Sequence, residues 1–138
     1  MVTSKSSIDK FLSPPITPIK ARAVKSFPIG KEWMYEPKWE GFRCLVFRDE
    51  ETIFLQSRTG MSLTSGFPEI VAAFRALSPK KFVLDGELAW VGHIGQQLDG
   101  IVAKRADVSY RPGDDHSTVK IKNYRSEDCV VGGFRDLE

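Results

Sequence analysis

Charged residues sit within or at the end of nearly every strand-like run of this chain, and that narrows the folds open to it. Lys38, Glu87, Lys104, Lys120 and Lys122 all fall on such runs. Five isolated charges on strand faces are too costly to bury without partners. They are therefore expected to share one wet groove. The fold must bring strands distant in sequence to the walls of a common cleft.

The chain has 138 residues, which points to one domain with room for a real core. Residues 1–31 are rich in Ser, Pro and Lys and lack periodicity, so they read as an extended arm that a few apolar residues could pin to the body. Folded structure is expected from about Trp33, making residues 32–138 the body. Gly41 to Arg48 reads as a strand, Asp49-Glu50-Glu51 as a turn, and Thr52 to Gln56 as the returning strand of a hairpin. Pro68 and Glu69 suit the first turn of a helix running to about Leu77, with Ile70, Ala73, Phe74 and Leu77 at helical spacing. Phe82 to Trp90 reads as a strand interrupted by Asp85-Gly86-Glu87. Ile101 to Lys104, Thr118 to Ile121 and Glu127 to Phe134 are further strands, and Gly92 to Gln97 is a polar join. Strands dominate, with one helix and antiparallel turns, so the class is α+β.

Composition excludes little else. A net charge of +2 does not by itself indicate a nucleic-acid partner. No apolar run is long enough to span a bilayer, and the N-terminus has no secretory apolar core, so no membrane partner and a cytoplasmic location are expected. Cys44 and Cys129 each lie inside an apolar run and read as buried thiols. Tyr35, Trp39 and Phe42 read as packing residues, and His93 and His116 as solvated loop residues.

The chemistry centres on Glu36-Pro37-Lys38-Trp39-Glu40-Gly41-Phe42-Arg43. Lysine attacks phosphorus only as a neutral amine, and nearby cations, a metal or burial favour that form. Attack on a nucleotide α-phosphate would give a lysine–nucleotide phosphoramide and expel pyrophosphate. Lys120 and Lys122, one residue apart on a strand, point to one face and could cradle a phosphate. Asp85 and Glu87 likewise share a face. Asp99 and Glu87 could offer oxygens to Mg²⁺, which takes few protein ligands. Arg58, in Ser57-Arg58-Thr59-Gly60, could contact phosphate. Each motif alone has a plainer reading. Asp-Gly pairs make turns, Arg58 fits a surface turn, and lysines protect strand edges.

Taken together and in order, these motifs resemble the nucleotidyltransferase domain of ATP-dependent DNA ligases, especially the small bacterial type, from about Pro14 to Phe134. The resemblance implies an α+β, antiparallel-sheet, ATP-grasp-like adenylation domain. It makes Lys38 the residue that takes AMP. Glu36 would lie near the adenine and Arg43 beside the ribose. Arg58 and Gly60 would form the Ser-Arg-x-Gly motif. Glu87 would serve ribose and metal, and Asp99 and Lys104 would form the acidic-Gly-x-Val-x-Lys motif. Lys120 and Lys122 would handle the phosphates. ATP, Mg²⁺ (or Mn²⁺) and nicked double-stranded DNA are the implied cofactors and partner, in DNA repair, recombination or replication.

Three departures accompany the resemblance. The family's aspartate two residues after the lysine is Glu40 here. The join from Gly92 to Leu98 stands where the family has a long stretch that includes an adenine-stacking aromatic. The chain closes at Glu138, where an OB-fold domain is expected to begin. These features imply an incomplete domain that grips DNA weakly unless another chain complements it. The other readings are a non-catalytic ligase remnant that binds nucleotide or DNA weakly, and another lysine nucleotidyltransferase of the RNA ligase or capping type.

Overall fold

The computed structural model describes residues 13–89 and 98–122. The expected strand at Glu127 to Phe134, the Gly92 to Gln97 join, Cys129 and His93 lie outside the described residues. Two sheets and one helix make up the rest. The elements are β1 (Arg22–Ala23), β2 (Trp33–Trp39), β3 (Phe42–Asp49), β4 (Thr52–Ser57), α1 (Pro68–Arg75), β5 (Lys81–Leu88), β6 (Leu98–Arg105) and β7 (Thr118–Lys122), with a 3₁₀ turn at Thr64–Gly66. One sheet has the order β1-β7-β6-β2, and the other β4-β3-β5. Among the described residues only β1 pairs in parallel, against β7.

The three-stranded sheet carries the core. Asp49 to Thr52 closes the β3–β4 hairpin as expected, with Glu50 at a φ of 53° in the turn. Alternation along β3 sends Cys44, Val46 and Arg48 to one face and Arg43, Leu45 and Phe47 to the other. On the first face Cys44, Val46, Ile53 and Leu55 are buried, and Leu63, Phe67, Ile70, Val71, Phe74, Phe82 and Leu88 pack against them. Cys44 is a buried free thiol, and burial pushes its pKa up. The helix therefore covers this face, leaving the other for the charged motifs.

Helix α1 starts where the sequence places it, with Pro68 in the first turn and Glu69 beside it. It ends earlier, at Arg75 with Ala76 as cap, and so presents Phe67, Ile70, Val71 and Phe74 to the core. Ala73 and Leu77, expected on that face, are exposed. The reason is Arg48, which is only 1% exposed. Its guanidinium donates to the carbonyls of Phe74 at 2.6 Å, Leu77 at 2.7 Å, Arg75 at 3.0 Å and Glu50 at 3.1 Å. A cation placed on the unpaired carbonyls of a helix C-terminus is doubly favourable, through hydrogen bonds and through the helix dipole.

Three expectations change here. Asp85-Gly86-Glu87 does not interrupt its strand, because β5 pairs with β3 continuously from Phe42↔Leu88 to Asp49↔Lys81. Gly86 lies opposite Cys44, and a Cβ there would meet nothing within 4 Å. Residues 33–39, assigned no bounded element from sequence, form a strand paired with β6. Trp39 and Phe42 do not belong to the core, and Phe42 is 70% exposed. Tyr35 packs locally, edge-on to Phe27, and donates to the Pro28 carbonyl at 2.6 Å.

The arm is laid across both sheets from residue 13 onward. Fully buried Gln56 of β4 accepts from the Ile16 amide at 3.0 Å and donates to the Ile16 carbonyl at 2.7 Å, imitating a strand partner. Gly113 donates to the Thr17 carbonyl and Lys20 to the Asp114 carbonyl, both at 2.8 Å. Ile19 is buried, and β1 then joins β7. The segment 13–24 thus ties one sheet to the other.

Two outcomes follow from this packing. Arg48→Met should destabilise the chain by about 3 kcal/mol, because buried carbonyls lose a charged donor; urea unfolding measures it. In the described residues β2 and β5 end their sheets, and Met34 and Phe42 are more than half exposed. Open edges and apolar surface promote association. The chain should melt below ~65 °C or self-associate, as checked by calorimetry and light scattering.

Candidate active site

Lys38 owes its position to an irregularity. The β2–β6 register runs evenly from Trp33↔Arg105 to Pro37↔Ile101 and then shifts, Trp39 pairing with Leu98. Such shifts re-aim side chains and are common beside functional sites. Two glycines allow the close approaches around it. A Cβ on Gly41 would stand 2.2 Å from the Leu88 carbonyl oxygen, so only glycine lets the chain after Lys38 pass against β5. Gly100 has a φ of 137°, and a Cβ there would stand 2.0 Å from the Ile121 carbonyl oxygen. These contacts bring the start of β6 onto the end of β7.

With the backbones so close, Lys38 Nζ donates to Asp99 Oδ2 at 2.8 Å, and Lys122 Nζ lies 3.4 Å from the same oxygen. The two lysines hold the Asp99 carboxyl below its usual range, the Lys38 hydrogen bond contributing most. Lys120 is depressed, first by burial and then by the charges of Lys122, Lys38 and Arg58, with Asp99 opposing. Lys38, Arg58 and Lys122 therefore lie within electrostatic reach of Lys120. Arg58 comes from the other sheet, at the turn after β4 where Gly60 adopts a φ of 92°.

The opposite wall is the charged face of β3 and β5. Arg43 Nε donates to Asp85 Oδ1 at 2.7 Å and Nη2 to Asp85 Oδ2 at 2.6 Å, a two-point pair. Glu87 stands across from Arg43 in the ladder. Its carboxyl is pushed up by partial burial, with smaller upward contributions from Asp85 and Glu40, while Arg43 and Lys38 pull it down. Glu40 and Lys38 thus lie within range of the Glu87 charge. Tyr110, in the loop between β6 and β7, donates to Asp85 Oδ2 at 2.6 Å. Burial and the Asp85 charge raise its pKa to about 12.

Glu36 and Lys104 pair with each other. The register Glu36↔Val102↔Lys120 puts them on the same face of the four-stranded sheet as Lys120 and Lys122. The structure thus brings Lys38, Asp99 and Lys122 into contact, with Lys120, Arg58 and Glu87 within electrostatic reach, while Arg43 pairs with Asp85 and Glu36 with Lys104 along the same sheet faces. Asp99–Gly100 and Asp85–Gly86 are strand residues, not turns. Sequence reasoning assigned no role to Tyr110 and gave Asp85 only a facing direction, because nothing local shows that a distant loop reaches β5. His116 is exposed beside Asp115, as expected. Among the described residues no cluster of three or more His, Cys, Asp or Glu could hold a metal alone. Asp99 and Glu87 would fit a cation only if phosphate and water filled most of its shell, which is the habit of Mg²⁺.

A lysine held between cationic and acidic strand faces at a sheet-lined groove marks a class of domain that handles phosphates. The sequence places the chain within that class: residues 12–93 match the ATP dependent DNA ligase domain, and the chain belongs to that family. It is 48% identical to DNA ligase C1 of Mycolicibacterium smegmatis over 217 residues, covering 93% of this chain and 62% of the relative. Against DNA ligase C2 of the same organism it is 43% identical over 207 residues, covering 88% of this chain and 58% of the relative. The chain thus spans about three fifths of these curated relatives. Both alignments are longer than the chain, so the relatives carry residues within the aligned span that have no counterpart here. Among solved structures, a mycobacterial DNA ligase D complexed with ATP and MES superposes with a TM-score of 0.65 at 20% identity, over 80% of this chain and 61% of that one. The antiparallel sheets and the helix of the described residues thus match the fold of a ligase domain.

The Lys38–Asp99 pair gives a stability test. The folded state depresses the Asp99 pKa, so its contribution is present above the ordinary carboxylate range near ~3.9 and is lost as pH falls through the lower folded value. Asp99→Asn should cost about 1 kcal/mol at pH 7. The two unfolding curves should converge at strongly acidic pH, as denaturant titrations across pH would record.

Proposed function

We propose that this chain is the lysine-adenylating part of an ATP-dependent DNA ligase, transferring AMP from ATP to Lys38 for the sealing of nicked double-stranded DNA. The observation that carries this reading is the contact of Lys38 with Asp99, among Lys120, Lys122 and Arg58, in a chain of the ligase family. An amine attacks phosphorus only when neutral, and Asp99 is in hydrogen-bond contact to receive the departing proton. The Nζ–phosphorus bond forms as the bond to pyrophosphate breaks. Lys120 and Lys122 offset the growing charge on the leaving group. Arg43 keeps three of its five N–H donors beyond those given to Asp85, enough to hold ribose or phosphate. Glu36 and Lys104 would frame the base end of the groove. Glu87 and Asp99 would supply carboxylate oxygens to Mg²⁺ (or Mn²⁺), which would neutralise phosphate charge when bound. Relatives named for non-homologous end joining support a place in DNA repair.

A second reading has its own support. The relatives' alignments contain residues absent from this chain, and Glu40 replaces a shorter carboxylate beside Glu87. Both favour a weakly active or non-catalytic remnant that binds nucleotide or DNA. The test is transfer of labelled AMP from ATP with Mg²⁺, followed by mass analysis of the lysine that carries it. The expected result is slow transfer to Lys38, none in Lys38→Ala, and little nick sealing. Glu40→Asp should speed transfer by about one or two powers of ten, given the cost of displacements near 1 Å, without restoring sealing. No transfer by any form would leave the remnant reading standing. Sealing of RNA in preference to DNA would move the chain to another nucleotidyltransferase class.

A further inference from the structure

The Arg43–Asp85 pair is fixed at one end by something outside either sheet. An aspartate carboxylate turns easily about its last torsion, whose energy profile is broad. A two-point pair with Arg43 alone would let both groups swing together. Here Asp85 Oδ2 also accepts the Tyr110 hydroxyl at 2.6 Å, which fixes the plane of the carboxylate. The Tyr110 oxygen is itself fixed, because it accepts from the Ile19 amide at 3.4 Å. A hydroxyl has one proton to give and lone pairs to accept with, so both contacts are made at once. Ile19 is buried in the strap that runs from Gln56 to β7, and Lys20 and Thr17 on either side are bonded to Asp114 and Gly113. The chain of contacts therefore runs from strap to Tyr110, to Asp85, to Arg43, and ends in the groove.

We propose that Tyr110 is a positioning residue, which orients the Arg43 guanidinium toward a bound nucleotide through Asp85 and couples that orientation to docking of the segment 13–24. The role in nucleotide transfer rests on the function proposed above; the role in holding Arg43 does not. It requires that the Arg43 Nε–H be protected only while the Tyr110 hydroxyl is present.

The experiment uses the full 138-residue chain and the Tyr110→Phe variant. Nitrogen-edited NMR follows exchange of the Arg43 Nε–H with water, assigned by its loss in Arg43→Lys. AMP transfer to Lys38 is measured in parallel, and melting temperature is recorded for each variant. Exchange at Arg43 should be about tenfold faster in Tyr110→Phe, and AMP transfer at saturating ATP about ten- to a hundredfold slower. Adding Tyr110→Phe to Arg43→Lys should then cost nothing more, since both act on one group. Unchanged Arg43 exchange overturns the proposal, even with a lower melting temperature, because Tyr110 would then only tie down the strap. A chain that transfers no AMP fails the functional reading, and the Arg43 signal still decides for or against Tyr110 by the same criterion. Should Tyr110→Phe not fold, the unmodified chain decides: the Tyr110 hydroxyl proton must show a through-space contact with the guanidinium protons of Arg43, and its absence overturns the proposal.

Discussion

Two carboxylates make the groove possible. Lys38, Arg58 and Lys122 lie within electrostatic reach of Lys120, and Arg43 and Lys38 within reach of Glu87, so without anions among them these cations would repel. Asp99 sits between Lys38 and Lys122 from one sheet, and Asp85 grips Arg43 from the other. Each is only partly exposed, so its pairs are screened less than surface ion pairs. The arrangement differs from a neutral core in one important way. Lys38, Arg43 and Lys122 each retain donors beyond those given to their aspartates, so the positive charge of the groove is organised in advance instead of scattered over independent side chains. The cost of assembling like charges is met before the ligand arrives.

Much of this was legible in the sequence, for reasons that can be named. The β3–β4 hairpin is announced by an acidic turn between apolar runs, and α1 by Pro68 and Glu69 at its head. Lys120 and Lys122 share a face because a strand alternates. Other features were hidden. Arg48 looks like any strand-ending arginine, yet it shortens α1 by holding the carbonyls of Phe74, Arg75 and Leu77. The Asp-Gly of residues 85–86 has turn chemistry, but pairing along the whole of β3 overrides it. The strand at 33–39 contains Pro37, Glu36 and Lys38 and lacks a clear period; it forms because β6 offers it a ladder. Propensity was outweighed in each case by a partner distant in sequence.

The site follows the same division. Residue types and order pointed to Lys38 and its cationic companions, since the chemistry requires them wherever the strands run. Asp85 and Tyr110 could not be weighted in that way. Their importance lies in a contact between residues 25 apart in sequence, one on a strand and one on a loop. The strap is a similar case. A proline-rich segment reads as an arm, but only the structure shows buried Gln56 answering both polar groups of Ile16.

The geometry also bears on how a family member could lose internal sequence and keep its groove. The expected gap lies between Glu87 near the end of β5 and Asp99 near the start of β6. Both residues stand beside Lys38: Asp99 in direct contact, Glu87 within reach of its charge. The strand ends that carry them therefore both lie near Lys38, although they belong to different sheets. A link of about ten residues can span up to ~35 Å, more than such neighbours need. A stretch whose two ends already lie together can be removed without pulling either motif away from the lysine. What is lost is whatever that stretch covered. In the described residues β2 and β5 are both edge strands, and Met34, Phe42 and Leu84 on or beside them are among the large apolar side chains left open. Charge assembly and apolar cover are thus separable in this fold, because carboxylate–cation pairs fix the groove from within while packing on its rim closes it from without.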